Sequence, residues 1–205
     1  MTEQPISVLD SVAATRANVY YALARALDQP NNWDSDLPQI LVEAMAPMPE
    51  PLPALGERMA SHVSRLIEDR EQASIAHAKL FLGPFEILAA PWACFYLEDE
   101  PKLMGPTSQY AAQAYADAGL APSEKRKDTP DHVTHELEFM YYLAFNQATT
   151  EDAQWEERAV RFWRDHLGRW LPRFADAVAD AAVHPFYDVL AATIKGVCTV
   201  EAEEN

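Results

Sequence analysis

Twelve residues, Thr129-Pro-Asp-His-Val-Thr-His-Glu-Leu-Glu-Phe-Met140, hold two histidines and three carboxylates. Imidazole and carboxylate groups at this density can ligate a metal, relay protons or begin a helix. On a helix, His132, His135 and Glu136 fall within roughly a 100° arc beside the apolar face of Val133, Leu137, Met140 and Ala144. Three donors on one arc can meet one ion, so a metal-assisted hydrolase using His132, His135 and Glu136 is one reading. The spacing His-x-x-His-Glu matches neither the zincin order nor its inverse, and no cysteine stands nearby to help. A plain helix start explains much of the same cluster. Thr129 serves as N-cap, Pro130 takes the first position, and Asp131 meets free backbone donors in the first turn. Glu136 fits neither account, because a carboxylate at the edge of an apolar stripe needs a cation or a hydrogen-bond donor.

A second cluster, Pro91-Trp-Ala-Cys-Phe-Tyr96, sets aromatics beside proline. It reads either as a hydrophobic plug capping the bundle or as a rigid, low-entropy surface for a peptide. Trp163, His166 and Trp170 follow helical spacing and read as core. The sequence has no Gly-rich phosphate loop, no Gly-x-Ser-x-Gly elbow and no Cys–His nucleophile arrangement. Cys94 and Cys198 read as small reduced apolar residues.

The elements that must position these groups are helical. A chain of 205 residues, 49% of them hydrophobic, can bury one substantial core, which predicts a single domain. Scarce glycine (6) against 15 prolines suits helices separated by proline-containing loops. Apolar spacing predicts helices over Ser7–Leu27, Pro38–Met45, Leu55–Leu66, Glu71–Leu82, Thr107–Ala118 and Pro130–Gln147. Further helices are expected over Glu151–Leu167, Pro172–Ala182 and Phe186–Val197. Between them lie a Pro-rich connector at 47–53, an aromatic functional loop at 83–101 and a polar linker at 121–129, with a frayed acidic tail at 199–205. No alternating strand pattern and no repeat occurs, so the fold reads as an all-α single-domain helical bundle. The amino terminus lacks a secretory signal pattern and no segment is long and apolar enough to span a membrane, which points to the cytoplasm without membrane insertion. A net charge of −16 disfavours nucleic acid, since Lys125-Arg126-Lys127 is flanked by Glu124 and Asp128. The same field favours a basic peptide partner.

In order along the chain come Leu80-Phe81-Leu-Gly83-Pro84, Pro91-Trp92 before Tyr96-Leu97-Glu98, Gly105 with Thr107-Ser108, and Pro130-Asp131-His132. Glu136–Met140, His166-Leu167 with Trp170, and Phe186-Tyr187 follow. This ordered set resembles the TorD/DmsD-like family of redox-enzyme maturation chaperones, from about Leu80 to Tyr187. The resemblance implies an all-helical, non-enzymatic chaperone without metal or cofactor. It would bind the twin-arginine signal peptide and apo catalytic subunit of a molybdopterin oxidoreductase, assist cofactor insertion and delay export. Cofactor-biosynthesis or translocation components are further implied partners, and the chain would be a monomer or a homodimer. Carried over by position, the client-binding patch falls on Leu80, Phe81, Pro91, Trp92, Tyr96, Gly105, Asp131 and His132, supported by His77, Phe95, His135 and Glu136. In this patch Asp131 would attract the arginines of the signal. Two departures stand out: His77 replaces the aromatic residue of some relatives, and Ala93-Cys94 replaces the Gly-Ser often found after Pro-Trp.

Overall fold

A computed structural model describes residues 12–83, 86–121, 128–150 and 152–204. Their α-helices are α1 (Val12–Leu27), α2 (Leu37–Met45), α3 (Leu52–Glu68), α4 (Arg70–Phe81), the one-turn α5 (Cys94–Leu97) and α6 (Pro106–Asp117). After these come α7 (Val133–Thr149), α8 (Gln154–Phe162), a π turn (Trp163–Leu167), α9 (Gly168–Ala181) and α10 (Pro185–Glu204). Among the described residues there is no β-strand, only an isolated antiparallel bridge between Trp92 and His132. The fold is all-α. No described helix is long and apolar enough to cross a membrane.

The central contact lays α1 along α7, while α2 packs on α3, and α10 packs on both α3 and α9. Small residues let these axes approach. A Cβ at Gly56 would sit 2.7 Å from Met45 Cβ and 2.9 Å from the Leu41 carbonyl, so glycine sets the α2–α3 spacing. The core interlocks Leu23, Leu41, Met59, Leu143, Trp170 and Phe174 with Phe186 and Tyr187 of α10, all buried. Burial of such large apolar groups is the main force holding the bundle together.

Several expected boundaries move, each for a non-local reason. Ser7–Ser11, expected to begin the first helix, lie outside the described residues, as do Pro84 and the basic run of the 121–129 linker. The helix expected from Pro130 begins only at Val133. The expected break before Pro172 is absent, because α8, the π turn and α9 follow one another and place Pro172 inside α9. The expected tail is helical through Glu204. Acidic residues at a helix C-terminus oppose the helix dipole, and Arg16 offsets this by meeting Glu201 at 3.2 Å and Glu204 at 2.7 Å. The 83–101 loop is not a solvated connection either: Ala89, Ala90, Ala93 and Cys94 are buried and α5 lies within it.

Candidate functional site

The loop carrying Trp92 is fastened to the chain just ahead of α7. Ala93 N–H donates to the Asp131 carbonyl at 2.9 Å, and Val133 N–H donates to the Pro91 carbonyl at 2.8 Å. These two bonds hold His132 extended after a turn closed by His132 N–H on the Thr129 carbonyl (3.1 Å), which delays the helix and makes His132 its N-cap in place of Thr129. The Asp131 carboxylate lies beneath this clamp and is wholly buried. It accepts hydrogen bonds from Ser108 Oγ (2.6 Å), Thr129 Oγ1 (2.6 Å) and the Cys94 N–H (3.2 Å). One carboxylate thus ties α5, α6 and the start of α7 together, which a buried charge requires if it is to remain satisfied. In this geometry Asp131 organises the loop and presents no charge to solvent. Burial, reinforced by Asp131, pushes the Cys94 thiol up to about 12, so it stays protonated at neutral pH.

The clamp leaves a cleft with about 90 Å³ of free volume. It is lined by His77, Phe81, Leu82, Pro91, Trp92 and His132. Asp28, Gln29 and Asp128 stand at its edge. The Trp92 ring meets His132 edge-on at 5.8 Å and leans on the exposed Phe95 at 6.0 Å, while His77 sets its ring against Phe81 at 4.9 Å. The cleft therefore combines aromatic rings with two carboxylates.

Phe81, Pro91, Trp92, His132 and His77 come together in this cleft, with Phe95 beside it. Leu80 is buried behind it in the core, and Tyr96 stacks on Trp170 at 5.6 Å. Gly105 caps α6, where a Cβ would lie 2.7 Å from the Lys102 carbonyl; its role is steric. His135 Nδ1 reaches the Thr129 carbonyl at 3.0 Å. Asp28, Leu82 and Asp128 were not anticipated. Asp28 and Asp128 read as turn and linker residues, and the only signal for them was that each is an acid next to a predicted helix end.

Glu136 supplies a correction. It is completely buried, with Oε1 2.6 Å from His166 Nε2 and Oε2 2.9 Å from Trp170 Nε1. Both oxygens are committed to the core, so His132, His135 and Glu136 do not converge on an ion. Among the described residues no group of three such ligands is placed to hold a metal. The metal-assisted hydrolase reading fails on this geometry. Burial raises the Glu136 carboxyl above its usual range, and the His166 contact opposes that shift.

His132 is a neutral cap. Its Nδ1 accepts from Thr134 N–H at 3.3 Å, which only an unprotonated nitrogen can do, and lies 2.8 Å from the Thr134 hydroxyl. Burial holds its imidazole down at about 4, with the Asp128 charge opposing only in part. In the unfolded chain a histidine titrates near ~6.5. Between those values the unfolded chain takes up a proton that the native state refuses, so stability is lost as pH falls through that window. Urea unfolding at about pH 7 and about pH 5 should show a loss of about 1–2 kcal/mol from this residue. His132→Asn keeps a capping side chain but cannot titrate, and should reduce the pH slope by that amount. An identical slope in both proteins would remove His132 from the account. His62, His77 and His184, which burial also lowers, add to the residual slope in the variant, and the raised Glu136 carboxyl works in the opposite direction.

The molecule is thus an all-helical domain in which a loop is clamped to a helix start beside an aromatic cleft. Residues 43–176 match the family model described as nitrate reductase delta subunit. The Tat proofreading chaperone DmsD of Salmonella typhi is 29% identical over 130 residues, covering 62% of this chain and 60% of that protein. The chaperone protein TorD of Vibrio parahaemolyticus is 26% identical over 144 residues, covering 66% and 67%. TorD of a Psychrobacter species is 33% identical over 106 residues, about half of each chain (50% and 47%). The chain spans about 60% of the length of the DmsD protein it matches. The chain belongs to the TorD/DmsD-type chaperone family.

Proposed function

We propose that this chain is a cytoplasmic, system-specific chaperone for a molybdopterin oxidoreductase. It would bind the twin-arginine signal peptide or the apo catalytic subunit, assist cofactor insertion and delay export until assembly is complete. The observation that supports this most directly is the pairing of an aromatic cleft with Asp28 and Asp128 at its mouth. Trp92 and Phe81 offer flat apolar area for the hydrophobic part of a signal; the exposed Asp128 carboxylate offers charge-assisted hydrogen bonds to its arginines, and Asp28, already held by Gln29 N–H (2.7 Å) and Asn32 Nδ2 (3.0 Å), adds negative charge beside it. Occupancy alone produces the delay, because export needs the same signal free; no bond is made or broken.

Calorimetry with a synthetic twin-arginine peptide tests this. An Arg-Arg to Gln-Gln peptide should bind about tenfold or more weakly, and an Arg-Arg to Lys-Lys peptide should fall between, since lysine cannot form a fork to a carboxylate. Added salt should weaken the Arg-Arg peptide most, because the rim carboxylates face solvent. Equal affinity for all three peptides would remove the arginine contact from the proposal.

A further inference from the structure

α4 carries a surface that its place in the bundle does not use. Its inner face buries Ala73, Ala76, His77, Leu80 and Phe81. Its outer face presents Ile75, Ala78 and Leu82, spaced by three and four residues, with Ile75 61% and Leu82 59% exposed. Two large apolar side chains this exposed, beside Ala78, make an apolar strip among the exposed polar residues Glu71, Gln72 and Lys79 of the same helix. Together with Lys79 and Gly83 these residues line a shallow groove of about 470 Å³. The groove adjoins the cleft, with Leu82 lining both.

Charge is divided along this combined surface. Asp28 and Asp128 stand at the cleft, whereas the groove has Lys79 and no acidic lining residue. Arginines are drawn to the first end and turned away from the second, where apolar area remains to be covered. We infer that the outer groove of α4 takes the apolar stretch of the same signal peptide. The bound peptide then has a fixed polarity, with its basic pair at Asp28 and Asp128 and its apolar stretch running over Leu82 to Ile75. This rests on the proposed function above and adds a direction and a second contact surface to it.

Two peptides separate the ideas: a full one, Arg-Arg followed by about 12 leucine and alanine residues, and a short one ending after the basic half. Ile75→Glu alters an exposed position outside the cleft, so the fold should be preserved. The variant should bind the full peptide about tenfold more weakly and the short peptide as the wild type does. A benzophenone in the apolar half of the full peptide should crosslink to α4, and one beside the arginines to the segment around Asp128. If Ile75→Glu binds the full peptide like wild type while Trp92→Ala binds it poorly, the groove inference is wrong and the cleft reading stands. If wild-type protein binds neither peptide, both are overturned. Dimerisation by sedimentation that Ile75→Glu abolishes, without change in peptide affinity, would assign the groove to a second copy of the chain and overturn the inference as well.

Discussion

Trp92→Ala is expected to weaken binding of a twin-arginine signal peptide by about 2 kcal/mol or more, roughly 30-fold, without unfolding the protein. The two halves of that result have separate causes. The clamp that positions the loop is made by the backbone of Pro91 and Ala93, so it survives loss of the indole. The side chain is only half-buried and faces the cleft, where its contacts are the rings of His132 and Phe95. Removing it takes away contact area for a ligand more than support for the core. Calorimetry measures the affinity and a thermal melt the fold. Phe95→Ala, at the edge of the cleft, should cost less. A Trp92→Ala protein that binds as tightly as wild type would mean that the peptide lies elsewhere.

The largest stability effect is expected at Glu136. His166→Leu leaves a fully buried carboxylate with Trp170 as its one remaining donor of the pair, a change of about 3–5 kcal/mol. Burial already raises the carboxyl, and without His166 the Trp170 hydrogen bond is left to oppose that shift. A native state that holds its proton longer than the unfolded chain loses stability as pH rises through the carboxyl range, from about 4.3 upward. The penalty of His166→Leu should therefore grow from acid to neutral pH. The double replacement Glu136→Leu with His166→Leu removes the charge as well, and should recover much of the loss. Urea unfolding of wild type, both single variants and the double variant closes the cycle. A coupling below about 0.5 kcal/mol would mean that the pair is not a unit.

The outcome at Glu136 also shows where sequence reading stops. Apolar spacing finds most helices, because 3.6-residue periodicity is a local property of α3, α4, α6 and α10. That Glu136 needed a partner was legible, but the partner stands 30 residues away on another element, and periodicity carries no information about which helices meet. The start of α7 was misread for a similar reason. Thr129-Pro130-Asp131 has the composition of a helix start, yet it forms a turn, and the bonds from Ala93 and to Pro91 hold His132 extended beyond it. Asp131 accordingly changes from a first-turn charge to the buried tie of three elements. In the cleft, Phe81, Pro91, Trp92 and His132 were legible through their ordered motifs. Asp28 and Asp128 were not, because an aspartate at a helix end has too many ordinary explanations.

The clamp between the loop and the start of α7 also sets an order of events during synthesis. The walls of the cleft come from the ends of α1 and α4, the loop at Pro91-Trp92, and the chain ahead of α7, with Cys94 and Asp131 separated by 37 residues. A ribosome delivers these pieces in sequence, and loop closure must precede any reward from the contact. A nascent chain that has emerged only as far as Trp92 has its aromatic anchor but no opposing His132. Under the proposed function, peptide capture at this cleft therefore begins only once the chain has emerged through the start of α7.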